Sequence, residues 1–292
     1  GIFIGGGSRI TLERGNNRVT NCYIRNVNRW NKTYSPGVLV DGVGNVIDHT
    51  EISDCTGPGI LLNGNDHLIE YNIISNVSTE GEDMGGFYYG RNPSERGNIL
   101  RYNYFHHIGN GGVSAKKAGI YHDDGACGMK VYGNIFYKAG DFAVELGGGS
   151  DITYTNNIFI EVPIAFFVDN RLQNWGKEFI SDSGIYRERL NAVNIDKLPY
   201  SDAYPNLAKY WTDSLGLPQR NSADLNVFYN ITQLIDGSKS WLKFGNNLTT
   251  NTEPGFVSTG KMDFRLKKDS QVFTALPGFQ NIPFERIGRQ VK

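Results

Sequence analysis

Cysteine is scarce. Cys22, Cys55 and Cys127 are odd in number and cannot make a disulfide framework; they read as small buried apolar fillers. Charge of either sign is not in excess. Lys and Arg number 29 against 30 Asp and Glu, a formal net charge of −1. The basic surplus of a nucleic-acid binder is therefore missing, and so is the acidic bias of a disordered tail. No apolar run approaches the roughly eighteen residues that a membrane-spanning helix needs. The histidines His49, His67, His106, His107 and His122 form no His-Glu-x-x-His metal signature. There is no Gly-x-Ser-x-Gly elbow, which removes support for a serine hydrolase. Gly5-Gly6-Gly7 and Gly147-Gly148-Gly149 lack the Lys-Ser/Thr of a phosphate loop and read as turns.

What is present is glycine (36 residues), asparagine (30) and aromatic side chains (12%), in a chain of 292 residues. That length buries a large core, as one big domain or two ordinary ones. Glycine and asparagine favour turns and aromatics favour strands, so the composition predicts a β-rich, heavily turned protein. A six-residue block recurs, with first positions at Cys22, Thr50, Asn72, Asn103, Asn134 and Asn157 and a weaker copy at Asn226. Its spacings are 28, 22, 31, 31, 23 and 69 residues. A second block recurs out of phase, at Gly1, Gly37, Gly59, Gly86, Gly119, Ala143 and Ala165, each followed by apolar or aromatic residues. Two short β-rich blocks per period, separated by Gly/Asn turns, predict an all-β chain wound as a parallel β-helix. Asn72, Asn103, Asn134 and Asn157 would stack as an amide ladder between coils. The leucine pattern of leucine-rich repeats is absent, and propeller blades are longer. Residues 1–292 are read as one solenoid domain. Residues 170–220 hold an aromatic-rich, partly helical insertion packed on it, and 246–292 a C-terminal cap over the last open coil.

The second block places the candidate chemistry. With its Gly or Ala as position zero, the apolar positions one and three point inward, and positions two and four face solvent. The outward positions of the later coils are Tyr121 and Asp123, Glu145 and Gly147, and Phe167 and Asp169. Coils stack about 4.8 Å apart, which makes Asp123 and Glu145 diagonal neighbours with Cα atoms roughly 8 Å apart. Two carboxylates on one open face at such spacing would flank a glycosidic bond. Glu145 lies within the apolar strand Phe142-Ala-Val-Glu-Leu146, where an acid is costly unless paired or functional. Asp123-Asp124-Gly125 also fits ordinary turn chemistry, and Asp169 also fits a helix cap. Upstream, Asp83 precedes and Arg91 follows another strand of the series. Tyr88, Tyr121 and Trp175 would offer stacking surfaces for sugar rings, or simply pack under the insertion. Arg91, Asp169 and Arg171 would line the pocket. His122 borders it beside Asp123, although the strand phase turns its ring inward.

The stretches Met84-Gly-Gly-Phe-Tyr-Tyr-Gly-Arg91, Arg96-Gly-Asn-Ile-Leu-Arg-Tyr-Asn-Tyr-Phe-His-His-Ile108, Gly119-Ile-Tyr-His-Asp-Asp-Gly125 and Val131-Tyr-Gly-Asn-Ile-Phe136 resemble the right-handed parallel β-helix proteins of carbohydrate-degrading bacteria. Tyr204-Pro-Asn-Leu207, Pro254-Gly-Phe256, Asp263-Phe-Arg-Leu266 and Pro277-Gly-Phe279 fit the same group. Gly119-Ile-Tyr-His-Asp123 followed by Phe142-Ala-Val-Glu145 is similar to the active-site strands of β-helix β-xylosidases, roughly Gly-Ile-Trp-Leu-Asp and Phe-Val-Glu-Val. The resemblance implies a glycoside hydrolase with Asp123 as nucleophile and Glu145 as acid/base. Tyr121 and His122 replace the Trp and Leu of that pattern. A neighbouring fucosidase- and xylanase-containing group uses paired Asp residues, which would make Asp83 and Asp124 the pair here; the strand phase favours Asp123 with Glu145. The resemblance further implies a secreted or periplasmic protein, a carbohydrate partner, and no cofactor or metal. The first rival is a polysaccharide lyase, with a base and uronate partner drawn from Arg91, Arg96, Arg101, Lys116 and Lys117, and calcium on Asp151 or Asp169. The second is a glycan-binding solenoid without turnover.

Overall fold

A repeat of some twenty to thirty residues is too short to bury its own apolar face, so successive repeats stack and share a core. The computed structural model, which describes residues 1–109 and 116–290, winds the chain into a right-handed parallel β-helix. Among the described residues three parallel sheets of eight strands run the length of the solenoid. One coil reads Leu68–Glu70, Ile73–Ser75, then Met84–Gly90, one strand for each sheet. The two repeating blocks form two of the sheets. The third sheet, built from strands such as Arg18–Thr20 and Val46–Asp48, is not visible as a block. Its strands are three or four residues long for most of its length, each with one inward apolar side chain (Val19, Ile47, Ile69, Leu100) and outward positions that mix apolar, polar and charged residues.

A sharp bend joins the third sheet to the sheet carrying the asparagines. At each such bend one residue takes a left-handed conformation: His49 (φ 47°), Tyr71 (57°), Tyr102 (55°), Gly133 (63°), Asn156 (62°) and Leu225 (54°). That conformation is uncommon for residues other than Gly, and the asparagine ladder beside it supplies the compensating hydrogen bonds. Asn134 Oδ1 accepts from the Asn103 backbone N–H (2.9 Å) and side-chain amide (3.0 Å). Its own amide donates to Leu100 O (2.9 Å) and Tyr132 O (3.2 Å). The ladder extends past the expected Asn157 to Asn226 and Asn247. Inside, Phe105, Phe136, Phe159 and Phe228 stack at centroid spacings of 5.3, 4.7 and 4.8 Å. The glycine that opens the second block has a steric cause: a Cβ on Gly59 would lie 2.7 Å from Ile74 Cγ2 and 2.8 Å from Gly86 O.

Two short 3-10 helices (Arg171–Gln173, Lys177–Ile180) and three α-helices (Ile185–Asn191, Tyr200–Ala203, Pro205–Ala208) interrupt the coils before the strand Ser222–Asp224 resumes them. Leu190, Val193, Ile195, Tyr200 and Leu207 bury one another there, and no helix among the described residues is long and apolar enough to cross a membrane. The C-terminal segment departs from expectation. Leu248–Thr250 is still a solenoid strand. Beyond it, Phe256, Phe264, Leu266, Val272 and Ile282 pack on Tyr104, Ile135, Ile158 and Val227, along the outside of the asparagine-bearing sheet. The outward positions Tyr104, Ile135, Ile158 and Val227 of its later coils are apolar, and the tail runs back over them.

Replacing Asn134 by Ala would strand the Asn103 N–H and the Leu100 carbonyl in the interior. The expected loss is about 1–3 kcal/mol for each buried group left unpaired, read as a lower urea midpoint; an unchanged midpoint would count against the ladder as a stabilising element.

Candidate active site

Strand pairing aligns Tyr88, Tyr121, Glu145 and Phe167 across four coils of one sheet. One outward position further on, Gly90 pairs with Asp123 and Gly147 with Asp169. The alternating side chains Ile120, Val144 and Leu146 enter the core. Asp123 and Glu145 therefore project from consecutive coils, diagonally, on one outward face. Both are buried all the same, because the insertion covers this part of the sheet. They line a cavity of about 300 Å³ together with Asp83, Asp124, Asp169, Arg91, Lys116, Tyr121, Phe142, Phe167, Arg171 and Trp175.

Five carboxylates in one cavity require counter-charge, and Arg171 supplies most of it. One Nη donates to Asp123 (2.7 Å) and Asp124 (3.1 Å), the other reaches Glu145 and Asp169 (2.8 Å), and Nε holds both oxygens of Asp169 (3.0 Å each). Arg171 opens the insertion, so the segment that breaks the repeat also delivers the cation. Burial alone would lower its pKa, but Asp169 and Glu145 hold it above the ordinary value, and it stays charged. Arg91 adds a second tie, Nε to Asp124 (2.7 Å). Tyr186, also from the insertion, donates its hydroxyl to the Asp124 carbonyl.

The two central acids differ in their partners. Asp123 is satisfied on both oxygens, Oδ1 by Arg171 and Oδ2 by the Tyr88 hydroxyl at 2.5 Å. Glu145 Oε1 is paired with Arg171, but Oε2 is buried without a hydrogen-bond partner among the described residues. Burial pushes the Glu145 carboxyl up to about 7, against the pull of Arg171 and with help from Asp123 and Asp169. Asp123 is also raised, by burial first and by Asp124 next, while Tyr88 and Arg171 oppose the rise. The hydroxyls of Tyr88 and Tyr121 are driven far above their ordinary range by burial and the adjoining carboxylates, so they remain donors.

The cavity gathers the sequence candidates Asp83, Asp123, Asp124, Glu145, Arg91, Tyr121, Asp169, Arg171 and Trp175. Tyr88 stands beside it through its bond to Asp123. Two readings need correction. His122 does not reach the cavity: its ring lies in the core, Nε2 at 2.6 Å from the Tyr154 hydroxyl, and burial lowers its pKa to about 3, which keeps it neutral. Tyr88 and Tyr121 are buried rather than open stacking surfaces, and Tyr121 donates to Asp83 at 2.5 Å. Trp175, 63% exposed, is the aromatic surface at the rim. For the lyase rival, Arg96 is spent on Asp151 (2.5 Å) and Arg101 on Glu70 (2.7 Å), both away from this cavity. Asp151 is further tied by Arg220. Among the described residues no three His, Cys, Asp or Glu side chains are grouped so as to hold a metal ion.

Two functional positions carry no side chain and gave no chemical signal in the sequence. A Cβ on Gly147 would lie 2.6 Å from Arg171 Cζ, and one on Gly90 would lie 2.7 Å from Asp123 Cβ. These glycines leave the space that the acid and the guanidinium fill. Their trace in the sequence is a glycine at outward position four, where other coils carry Asp.

The family model described as "Right handed beta helix region" matches residues 36–175, a span that includes Asp83, Asp123, Asp124, Glu145, Asp169 and Arg171. Regions of this kind occur in carbohydrate-active enzymes. A search of curated proteins returns no match.

Glu145 leaves a mark on stability. Its carboxyl rises from an ordinary 4.5 to about 7 on folding, so between those values the native state binds more protons than the unfolded chain. Stability then falls as pH rises through that window. Glu145→Gln removes one such group and is expected to flatten the decline measured by urea melts between pH 4.5 and 7. It does not abolish it, because burial also raises Glu95 to about 7. A slope identical to that of the parent protein would contradict a raised Glu145. Gly147→Ala is expected to displace the Arg171 guanidinium and shift the same profile, with little loss of β signal in circular dichroism.

Proposed function

We propose that this β-helix is a glycoside hydrolase, with Glu145 as the proton donor and Asp123 as the ionised partner. The observation that carries the reading is the asymmetry of the pair. Glu145 is pushed to about 7 and keeps one buried oxygen without a partner, as suits an acid that will protonate a leaving oxygen. Asp123 is held by the Arg171 guanidinium and the Tyr88 hydroxyl, both of which favour its charged form. Both carboxyls are raised by burial, Asp123 to about 6 and Glu145 to about 7, but only Asp123 has both oxygens bonded; an unequal pair of carboxyls is what glycoside hydrolysis works with. In the forward step the Glu145 proton passes to the glycosidic oxygen as the C–O bond breaks. Asp123 then either bonds the anomeric carbon or takes a proton from the attacking water.

A single guanidinium bridges the two carboxyls, which holds them close. That favours the shorter spacing of about 5–5.5 Å, used by enzymes with a covalent glycosyl intermediate, over the ~6.5–9.5 Å of those that activate water directly. Trp175 at the rim would stack on a sugar ring, and Asp169, Arg91 and Asp83 would take hydroxyls. We extend the proposal to a carbohydrate partner and to a secreted or periplasmic setting, where polymeric glycans are met.

A second reading, glycan binding without turnover, is favoured by one observation: Arg171 already pairs with four carboxylates, as would suit a rigid clamp for the insertion. Turnover decides between the two. With a panel of glycans and a reducing-end assay, Glu145→Gln and Asp123→Asn are each expected to lower kcat by about 10²–10⁴-fold with the thermal midpoint retained. Rates near those of the parent protein would refute the assignment. Release of a product with ultraviolet absorbance from an unsaturated sugar would instead identify a lyase. The parent rate is expected to fall as pH rises past about 7, where Glu145 loses its proton.

A further inference from the structure

A second cleft, of about 460 Å³, adjoins the acidic cavity on the side of the N-terminal coils and shares Arg91 with it. Three arginines line it, brought from distant parts of the chain: Arg9, Arg91, and Arg189 of the helix Ile185–Asn191. Each is held in place. Arg9 donates from Nε to Asn65 Oδ1 (3.0 Å) and from Nη2 to Ser94 Oγ (2.7 Å). Arg91 is tied to Asp124, and Arg189 donates from Nη1 to the Arg91 carbonyl.

The acids of this cleft, Asp41 and Glu95, do not cancel that charge. Glu95 is buried, stands 3.7 Å from the nearest Arg9 nitrogen, and is raised by burial to about 7, so much of it is neutral near that pH. Asp41, which accepts from the Gly42 N–H at 2.6 Å, is one carboxylate against three guanidiniums. The same cleft is lined by Tyr34, which is partly exposed, and by the buried Tyr88, the two rings edge to face at 5.2 Å. An accessible ring, Tyr34, in a cleft that also holds tethered guanidiniums is the chemistry that receives a sugar ring bearing an anion.

The neighbouring cavity imposes a complementary condition. Its cluster of carboxylates would repel an anionic ring, so the charged residue of a substrate sits beside the bond to be cut rather than astride it. We infer that the Arg9–Arg91–Arg189 cleft is a subsite for an acidic sugar residue, carrying a carboxylate or a sulfate ester, and that Arg189 and Arg91 contact the anion. The inference rests on the glycan reading of the adjoining cavity and names the class of its substrate as acidic oligosaccharides.

The test is calorimetric binding to Glu145→Gln protein, which keeps the ligand intact, using trigalacturonate, a sulfated carrageenan tetrasaccharide and neutral galactotriose. At least one acidic probe is expected to bind at least about tenfold more tightly than galactotriose, as one or two charge-assisted hydrogen bonds would give. The probe that binds tells carboxylate from sulfate. Adding Arg189→Ala should erase that preference and leave galactotriose unchanged, and Arg189→Lys should restore part of it. Equal affinity for neutral and acidic probes, no binding of either acidic probe, or an undiminished preference in Arg189→Ala overturns the inference. Acidic binding by a parent protein that cleaves no glycoside sinks the hydrolase reading alone. Cleavage of neutral glycosides with no acidic preference sinks this inference alone.

Discussion

Clustered carboxylates cannot be buried together without a shared cation, and in this protein that cation is Arg171. Its guanidinium touches Asp123, Asp124, Glu145 and Asp169 at once. One positive charge divided among four acids does not neutralise them, and the residual repulsion adds to burial in raising Asp123 and Glu145. The same contact explains why the repeat is broken where it is. The coil after Ile164–Asp169 leaves the solenoid at Arg171, so its guanidinium arrives beside the acids. The helices that follow keep it there, Tyr186 fastening them to the Asp124 backbone. A glycine at 147 provides the space.

The regular sheet supplies what the insertion does not. Parallel coils in unbroken register set Tyr88, Tyr121 and Glu145 in a line, so side chains far apart in sequence meet at the spacing of neighbouring strands. Along that face the charge bias reverses from the acidic cavity to the arginine-lined cleft, with Arg91 at the boundary.

Much of this was legible in the sequence, for reasons that can be named. The asparagine blocks showed the ladder because one amide meets both the N–H of the preceding coil and the carbonyls around it. Alternation within Gly119–Asp123 and Ala143–Leu146 showed that Asp123 and Glu145 share a face. The third sheet was hidden because its strands are short and their outward positions mix apolar, polar and charged residues. The position of His122 was legible from the phase, whereas counting it among the sugar contacts relied on its nearness to Asp123. The burial of Tyr88 and Tyr121 depends on chain that lies far downstream, and no local pattern reports that. Arg171 stood among the candidates, yet nothing around it signals four partners, since those come from three different coils. The tail was read as a lid on the last coil because solenoids need one; its apolar spacing does not say which surface it covers.

The course of that tail bears on how the solenoid comes apart. Its far end is bonded to the early coils: Gly288 N–H donates to Tyr71 O at 2.8 Å, and Gln290 exchanges backbone hydrogen bonds with the Asn21 side chain at 2.7 and 3.2 Å. Stacked repeats ordinarily fray one at a time from their ends, because each touches only its neighbours. Here the tail is buckled along the flank to the coils that hold Asn21 and Tyr71, so those coils do not peel off independently of it. Over that stretch the solenoid is thereby converted from a zipper into a strapped bundle.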